Sequence, residues 1–359
     1  MIFPDEMDVV WYCFLLFLLL WQGFSCRLNS DYLERETTDA VKGFFIGTVF
    51  FRHFANYTET GFWWRPLDAW MDQLIVAMFL FYSGFGVMAQ YEKRGSAYLR
   101  SIPKKRVIPL LVNFDVAVVL FAILGFLLGR TYTIRQFALS LLAWKSVGNS
   151  NWYIFTVLIC YMATFLSFVF VPRRCNGHHL VGIANLGLFL LLYSLFLRRI
   201  KPYCWYDTVF CFWGGAAYGL FRKNAEAFLD ERWMTCLATG IVVAVVLPVF
   251  PKSGRWLWAF HNARALSFVL AVIAASRRFR ISSALMAWCG KHIFPLYIYQ
   301  RIPMLLFRHV DPHSFSNGDS IRLICYFCAS LTVTMLLASA FKYFRYPWKC
   351  FPVLRRYAT

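Results

Sequence analysis

The sequence predicts an all-α polytopic membrane bundle of about 11 transmembrane helices. Three observations carry this. Of 359 residues, 60% are apolar, one fifth are aromatic and only 15% are charged, against about a quarter charged in soluble domains. The apolar residues gather into eleven runs near the bilayer-spanning length, roughly 9–25, 41–57, 71–90, 107–129, 150–171, 180–197, 204–221, 233–250, 258–276, 288–307 and 322–341. The connections between them are short and leave no room for a sizeable soluble domain.

The first run follows Asp5, Glu6 and Asp8 with no Lys or Arg before it, unlike the basic start of a secretory signal, and is expected to be a retained helix. The second run holds Lys42, Arg52 and His53. A titratable ring inside a membrane is costly and marks a functional site by default. Eleven helical steps separate Lys42 from His53, which returns to within roughly 20° of one face and spaces them about 16 Å along it. Lys42, Ile46, Val49 and His53 therefore form one stripe. The fourth run carries Asp115, expected to pair with a basic side chain. The ninth carries His261, Asn262 and Arg264 near one end, explained equally by acceptor binding or by solvation at the membrane interface. In the tenth, Arg301 follows Tyr297 by four residues and shares its face. Trp63, Trp64 and Trp70 read as an interfacial aromatic belt.

Lys and Arg are unevenly distributed between the connections. With the N-terminus outside, 23 of the 37 fall on the cytoplasmic side and 11 on the other, which predicts N-out, C-in and puts Lys42 at the cytoplasmic end of its helix. The net charge of +19 is mostly cytoplasmic loop charge suited to anionic lipid, and no nucleic-acid module is visible. Most of the eleven cysteines, Cys13, Cys160, Cys211, Cys236 and Cys325 among them, lie in apolar runs and read as small hydrophobes. Cys325 and Cys328 lack the second pair a zinc site needs, so no metal is expected.

A basic segment runs from Lys93-Arg94 through Arg100 to Lys104-Lys105-Arg106 and Pro109. It is read as a cytoplasmic loop. It anchors topology, and it also suits a phosphorylated cytoplasmic ligand, since Lys meets phosphate as a point charge and Arg as a fork.

Several motifs then occur in order: Lys42-x10-His53, Phe81-Tyr82-Ser83-Gly84-Phe85, the basic segment ending at Pro109, Asn151-Trp152-Tyr153-Ile154 with Tyr161, Phe212-Trp213-Gly214-Gly215-Ala216, and Gly290-Lys291-His292 through Tyr299. Over residues 38–345 the chain resembles the acyltransferase 3 family of integral membrane O-acyltransferases. The resemblance implies ten core helices, here preceded by an N-terminal helix and connecting loop (1–37) and followed by a basic cytoplasmic tail (346–359). It implies transfer of an acyl group, usually acetyl, from acyl-CoA to a hydroxyl of a carbohydrate or glycan-like acceptor, in the plasma (inner) membrane of a bacterium. The family's Arg-x10-His falls on Lys42 and His53, with Lys in place of Arg. Arg106 matches the second arginine of its Arg-x-x-Arg, with Pro103 at the first. Gln300 stands where the family's late Tyr-x-x-His has histidine.

Acyl transfer to an alcohol needs a base at the hydroxyl proton and positive charge where the carbonyl oxygen becomes anionic. His53 is the base candidate, its other reading being an interhelical hydrogen bond, and Lys42 is the candidate for orienting the donor or neutralising its phosphate. Arg100, Lys104, Lys105 and Arg106 are the candidates for acyl-CoA. Tyr297, Arg301, His261 and Trp152 are the candidates for the acceptor. The alternative function is a non-catalytic transporter or exporter of a polysaccharide or lipid-linked glycan through the same cavity.

Overall fold

The computed structural model describes residue 13 and residues 23–26, 29–58, 73–171, 177–246, 257–312 and 320–344. Ten of the eleven apolar runs fall on helices there. In chain order the elements are β1 (Gly23–Cys26), α1 (Arg35–Ala55), α2 (Leu74–Arg94), α3 (Ser96–Ile102), a π-turn (Pro103–Val107), α4 (Ile108–Leu127), α5 (Ile134–Leu141), α6 (Trp152–Val169), α7 (His178–Leu197), α8 (Val209–Leu220), α9 (Arg222–Val246), α10 (Leu257–Arg278), β2 (Phe279–Ser282), α11 (Ala284–Lys291), α12 (Ile293–Tyr299), α13 (Arg301–Val310) and α14 (Ser320–Phe344).

Among the described residues, six helices are long and apolar enough to cross a membrane: α2, the continuous helix Ser96–Leu127, α6, α7, α10 and α14. Large apolar side chains point outward from several of them, including Ile123, Phe126, Leu188, Leu192, Phe196 and Leu336. A soluble protein rarely exposes such a surface, and the chain is an integral membrane protein with an all-helical bundle. The remaining runs depart from a simple span for visible reasons. Helix α1 carries Arg35, Glu36, Asp39, Lys42 and Arg52, and α8 has only 12 residues.

The run 288–307 is not one helix. It breaks at His292 (φ −111°, ψ 24°) and again at Gln300. Each break falls three residues before a proline, Pro295 and Pro303, whose missing N–H removes one helical hydrogen bond. The basic segment is likewise not a loop. It is helix, continuous with α4 through a π-turn that begins at Pro103. Pro103 cannot donate to the preceding turn, and the Ile108 N–H instead reaches the Pro103 carbonyl, as in a π-bulge.

Glycines set the closest helix contacts. A side chain on Gly84 would strike the Phe212 backbone, and one on Gly215 the Phe81 backbone, so α2 and α8 touch backbone to backbone. Gly43 lies in the same way against Met286, and Gly290 against Asp39, joining α1 to α11. Small residues allow this approach in membrane bundles. The motif glycines of the sequence thus fix the frame that carries Lys42 and Ser83.

The segment before α1 also docks on the bundle. Residues 23–26, the end of the expected first helix, form a strand that pairs antiparallel with β2, Gly23 opposite Ser282. The Asn29 side chain donates to the Ser276 carbonyl at 3.1 Å. Tyr32 is fully buried, and its hydroxyl meets the Tyr218 hydroxyl at 2.5 Å and Glu226 at 3.0 Å. Arg277 packs over the Tyr32 ring and grips Asp230 with Nε at 2.6 Å and a terminal nitrogen at 2.5 Å. Those hydrogen bonds hold the Asp230 carboxyl below its ordinary range. The rest of the first run, Trp63, Trp64, Trp70 and the tail 346–359 lie outside the described residues.

Two polar expectations fail. Asp115 has no basic partner, and its Oδ1 is buried without a hydrogen bond among the described residues. Asn262 and Arg264 are buried, at 3% and 5% exposure, so interface solvation does not explain them. The Asn262 amide donates to the Tyr206 carbonyl at 3.0 Å and accepts from the Phe210 N–H at 3.2 Å, which pins α10 to the start of α8.

Candidate active site

Helix α1 supplies the axis of the site. Its buried face carries Ile46 and Val49, each 2% exposed, between Lys42 near one end and His53 near the other, the stripe the spacing predicts. Lys42 is not a free cation. Its ammonium donates to Asp39 Oδ1 at 2.6 Å, and the Asp39 side chain is only 3% exposed. One helical turn before Lys42, a carboxylate therefore fixes its position and neutralises part of its charge.

Lys42 and Arg106 line one cavity of about 250 Å³, together with Tyr82, Ser83, Tyr153 and Tyr161. Arg106 reaches it because it follows Leu99 and Ile102, both buried, on one helical face, and its Nε donates to the Tyr98 hydroxyl at 3.3 Å. All four basic candidates, Arg106 included, are exposed to solvent, but Arg100, Lys104 and Lys105 are not part of this lining. Ser83 comes from the Phe81–Phe85 motif and Tyr161 from α6. Both motifs converge here once α2 and α6 pack.

His53 does not line this cavity. It joins it through two phenol rings. The Tyr297 ring centroid lies 6.0 Å from that of His53 and 5.3 Å from that of Tyr153, which does face the cavity. His53 Nδ1 is buried with no hydrogen-bond partner among the described residues, so the interhelical hydrogen bond considered from sequence is absent at that atom. An unpaired buried polar atom is costly. The charges of Arg301 and Arg52 both bear on the His53 ring.

On the far side of His53 the chain of contacts continues. Arg301 donates from Nε to the Tyr57 hydroxyl at 2.9 Å. Tyr57 lines a second cavity of about 410 Å³ with Leu128, Arg130, Leu305, Arg308 and His309. From Lys42 to Tyr57 is fifteen residues, about 20 Å along the helix axis, so the two cavities lie toward opposite ends of α1 with His53 between them. A larger space of about 960 Å³, lined by Tyr91, Arg94, His179 and Phe221 among others, holds Arg94 of the basic segment but none of the catalytic, donor or acceptor candidates.

The other acceptor candidates divide. Trp152 packs edge-on against Tyr153 at 5.9 Å, one ring removed from the cavity. His261 stacks on Tyr203 at 6.0 Å, apart from the Tyr297–Tyr153 pair. Gln300, at the histidine position of the motif, is 1% exposed and its amide donates to the Tyr297 carbonyl at 2.9 Å, bracing the ring that faces His53. Sequence reasoning named Ser83, Tyr153 and Tyr161 within motifs but gave them no site role, and it passed over Asp39 and Tyr57. Only Asp39 carried a local signal, a carboxylate three residues before a membrane lysine.

The fold and site together define a helical membrane protein in which a half-buried histidine stands between two polar cavities, one lined by an aspartate-paired lysine and an arginine. A family model described as an acyltransferase domain, Acyl_transf_3, matches residues 36–339. The chain belongs to the acyltransferase 3 family. No curated protein and no solved structure matches it.

Proposed function

We propose that the protein is a membrane O-acyltransferase that moves an acyl group, acetyl in the simplest case, from acyl-CoA to a hydroxyl of a carbohydrate or glycan-like acceptor, with His53 as general base. Family membership supports acyl transfer. The observation that carries the finer reading is the unpartnered His53 Nδ1, linked through Tyr297 and Tyr153 to the Lys42–Arg106 cavity. The donor enters that cavity from the cytoplasmic side, as the N-out, C-in orientation requires. Arg106 and the exposed Arg100, Lys104 and Lys105 meet the phosphates of the donor.

In the reacting step His53 takes the hydroxyl proton. The acceptor oxygen attacks the thioester carbonyl, so that a C–O bond forms while the C–S bond breaks. The thiolate of CoA leaves and is protonated by the imidazolium, which restores neutral His53. Lys42, oriented by Asp39 and about 16 Å from His53 along the helix, neutralises phosphate of the bound donor. No metal takes part in this scheme.

A glycan exporter fits less well. Tyr153 and Tyr297 are 8% and 3% exposed, and their rings fill the space between the cavities, which suits two substrates meeting better than one passing through. The test is purified protein with acetyl-CoA and a sugar acceptor, read by release of free thiol and by the mass gain of one acetyl group on the sugar. Activity lost in His53→Ala at unchanged folded yield supports the reading. Wild-type activity in that variant sinks it and moves the exporter ahead.

A further inference from the structure

We infer that the acceptor bears an anionic group, carboxylate or phosphate, that binds in the cavity formed by Tyr57, Arg130, Arg308 and His309. This rests on the acyltransferase reading and names the class of its second substrate. Four observations converge on it. Arg130 and Arg308 line this cavity with His309, and neither arginine is in an ion pair with a carboxylate among the described residues. The nearest acid in sequence, Asp311, accepts from the Tyr326 hydroxyl at 2.9 Å. Arg301 spends its Nε on Tyr57 and leaves its terminal amino groups without a protein partner among the described residues. Arg301 and Arg308 stand over the Tyr57 ring, 5.6 Å and 5.7 Å from its centroid, so two guanidinium groups converge on one aromatic surface.

Cations gathered around a cavity without acids call for an anion, and a guanidinium grips carboxylate or phosphate with two parallel hydrogen bonds. The cavity volume, about 410 Å³, lies in the range of small-molecule sites and admits a single sugar unit. Its place in the chain of contacts matters as much. Arg301 holds Tyr57, which lies four residues, about one helical turn, after His53, so an acidic sugar held at Arg308 and Arg130 extends its hydroxyls toward the imidazole. In the N-out orientation this end of the bundle is the poor one in Lys and Arg, and topology does not account for cations concentrated here.

The test uses the full chain in nanodiscs of zwitterionic lipid, with glucose, glucuronate and glucose 1-phosphate as probes. At least one charged sugar binds about tenfold more tightly than glucose, as expected for hydrogen bonds to a charged group, and the difference falls away in the Arg130→Gln/Arg308→Gln double variant. Whichever charged sugar binds identifies the anionic group. Both arginines are exposed, and unchanged thermal unfolding of the variant confirms that the fold is intact. Equal binding of all three sugars overturns the inference, as does charge preference that survives the double variant. A second nanodisc set containing anionic phospholipid covers the remaining source of phosphate: if lipid headgroups outcompete both charged sugars, the cations belong to the membrane and the inference falls. Acetyl transfer measured on the same preparations separates the two levels. Charge-selective binding without transfer keeps this site and removes the acyltransferase mechanism, whereas transfer without charge preference does the reverse.

Discussion

The His53 ring faces the Tyr297 ring at a centroid distance of 6.0 Å, although the two residues lie at opposite ends of the family domain. The contact exists because the run 288–307 is broken at His292 and Gln300, which makes α12 a short separate segment set against α1. It places the imidazole at the end of an aromatic path to the Lys42–Arg106 cavity rather than inside that cavity.

Loss of the base comes first. His53→Ala is expected to lower acyl transfer by about 10²–10⁴-fold, the usual contribution of a general base. His53→Gln does not restore it, since an amide hydrogen-bonds but takes no proton near neutral pH. Steady-state rates on purified variants check this, and a Gln variant as active as wild type refutes proton transfer at this position.

The Lys42–Asp39 pair predicts a linked loss of stability and activity. Lys42→Ala leaves Asp39, 3% exposed, with only the solvent-exposed Arg35 at 3.7 Å, and is expected to destabilise the fold, since breaking a buried pair leaves a carboxylate poorly compensated. Asp39→Asn combined with Lys42→Met recovers most of that stability but not activity. Lys42→Arg keeps the cation and retains much of the rate. Denaturation midpoints measured beside rates separate the two effects, and a Lys42→Ala protein as stable as wild type contradicts the pairing.

Donor binding is expected to depend on one basic residue more than on its neighbours. Arg106 lines the cavity, whereas Arg100, Lys104 and Lys105 do not. Arg106→Ala therefore weakens acyl-CoA binding by about tenfold or more, in line with loss of a charge-assisted hydrogen bond, and each of the other three to alanine by only a few-fold, as for screened surface charges. Titration of acyl-CoA against the four variants reads this directly; equal effects at all four positions argue for a diffuse surface field instead.

Helix contacts through glycine give a folding prediction. Gly290→Ala drives a methyl group into the Asp39 backbone and Gly84→Ala into that of Phe212, where no flexible side chain can yield. Each is expected to cost about 1–3 kcal/mol by overpacking, whereas Gly86→Ala, with open space around it, leaves stability unchanged. Thermal unfolding in detergent compares the three.

Orientation is testable without activity. A reporter fused after Thr359 is expected to be active in the cytoplasm and one fused near residue 60 outside. The reverse pattern exchanges the sides assigned to donor and acceptor.

The sequence by itself determined the class, the positions of ten helical runs, the Lys42–His53 stripe and, through the ordered motifs, the family. Those properties are local: apolar length answers to bilayer thickness, and a 3.6-residue period fixes which side chains share a face. Tertiary structure decided what the stripe faces. Helical spacing can align His53 with Lys42, but it does not say that Tyr297 and Tyr153 fill the space between them, because those residues come from α12 and α6. It decided that Arg106 alone of the four basic candidates lines the cavity, since the π-turn after Pro103 sets the rotation of that helix. Among the described residues it left Asp115 without the cation expected for it, and it brought Arg130, just after α4, to the same cavity as Arg308 of α13, with Arg301 of that helix held on Tyr57. Contacts between distant segments depend on how closely backbones approach, and in this bundle Gly43, Gly84, Gly215 and Gly290 set that distance.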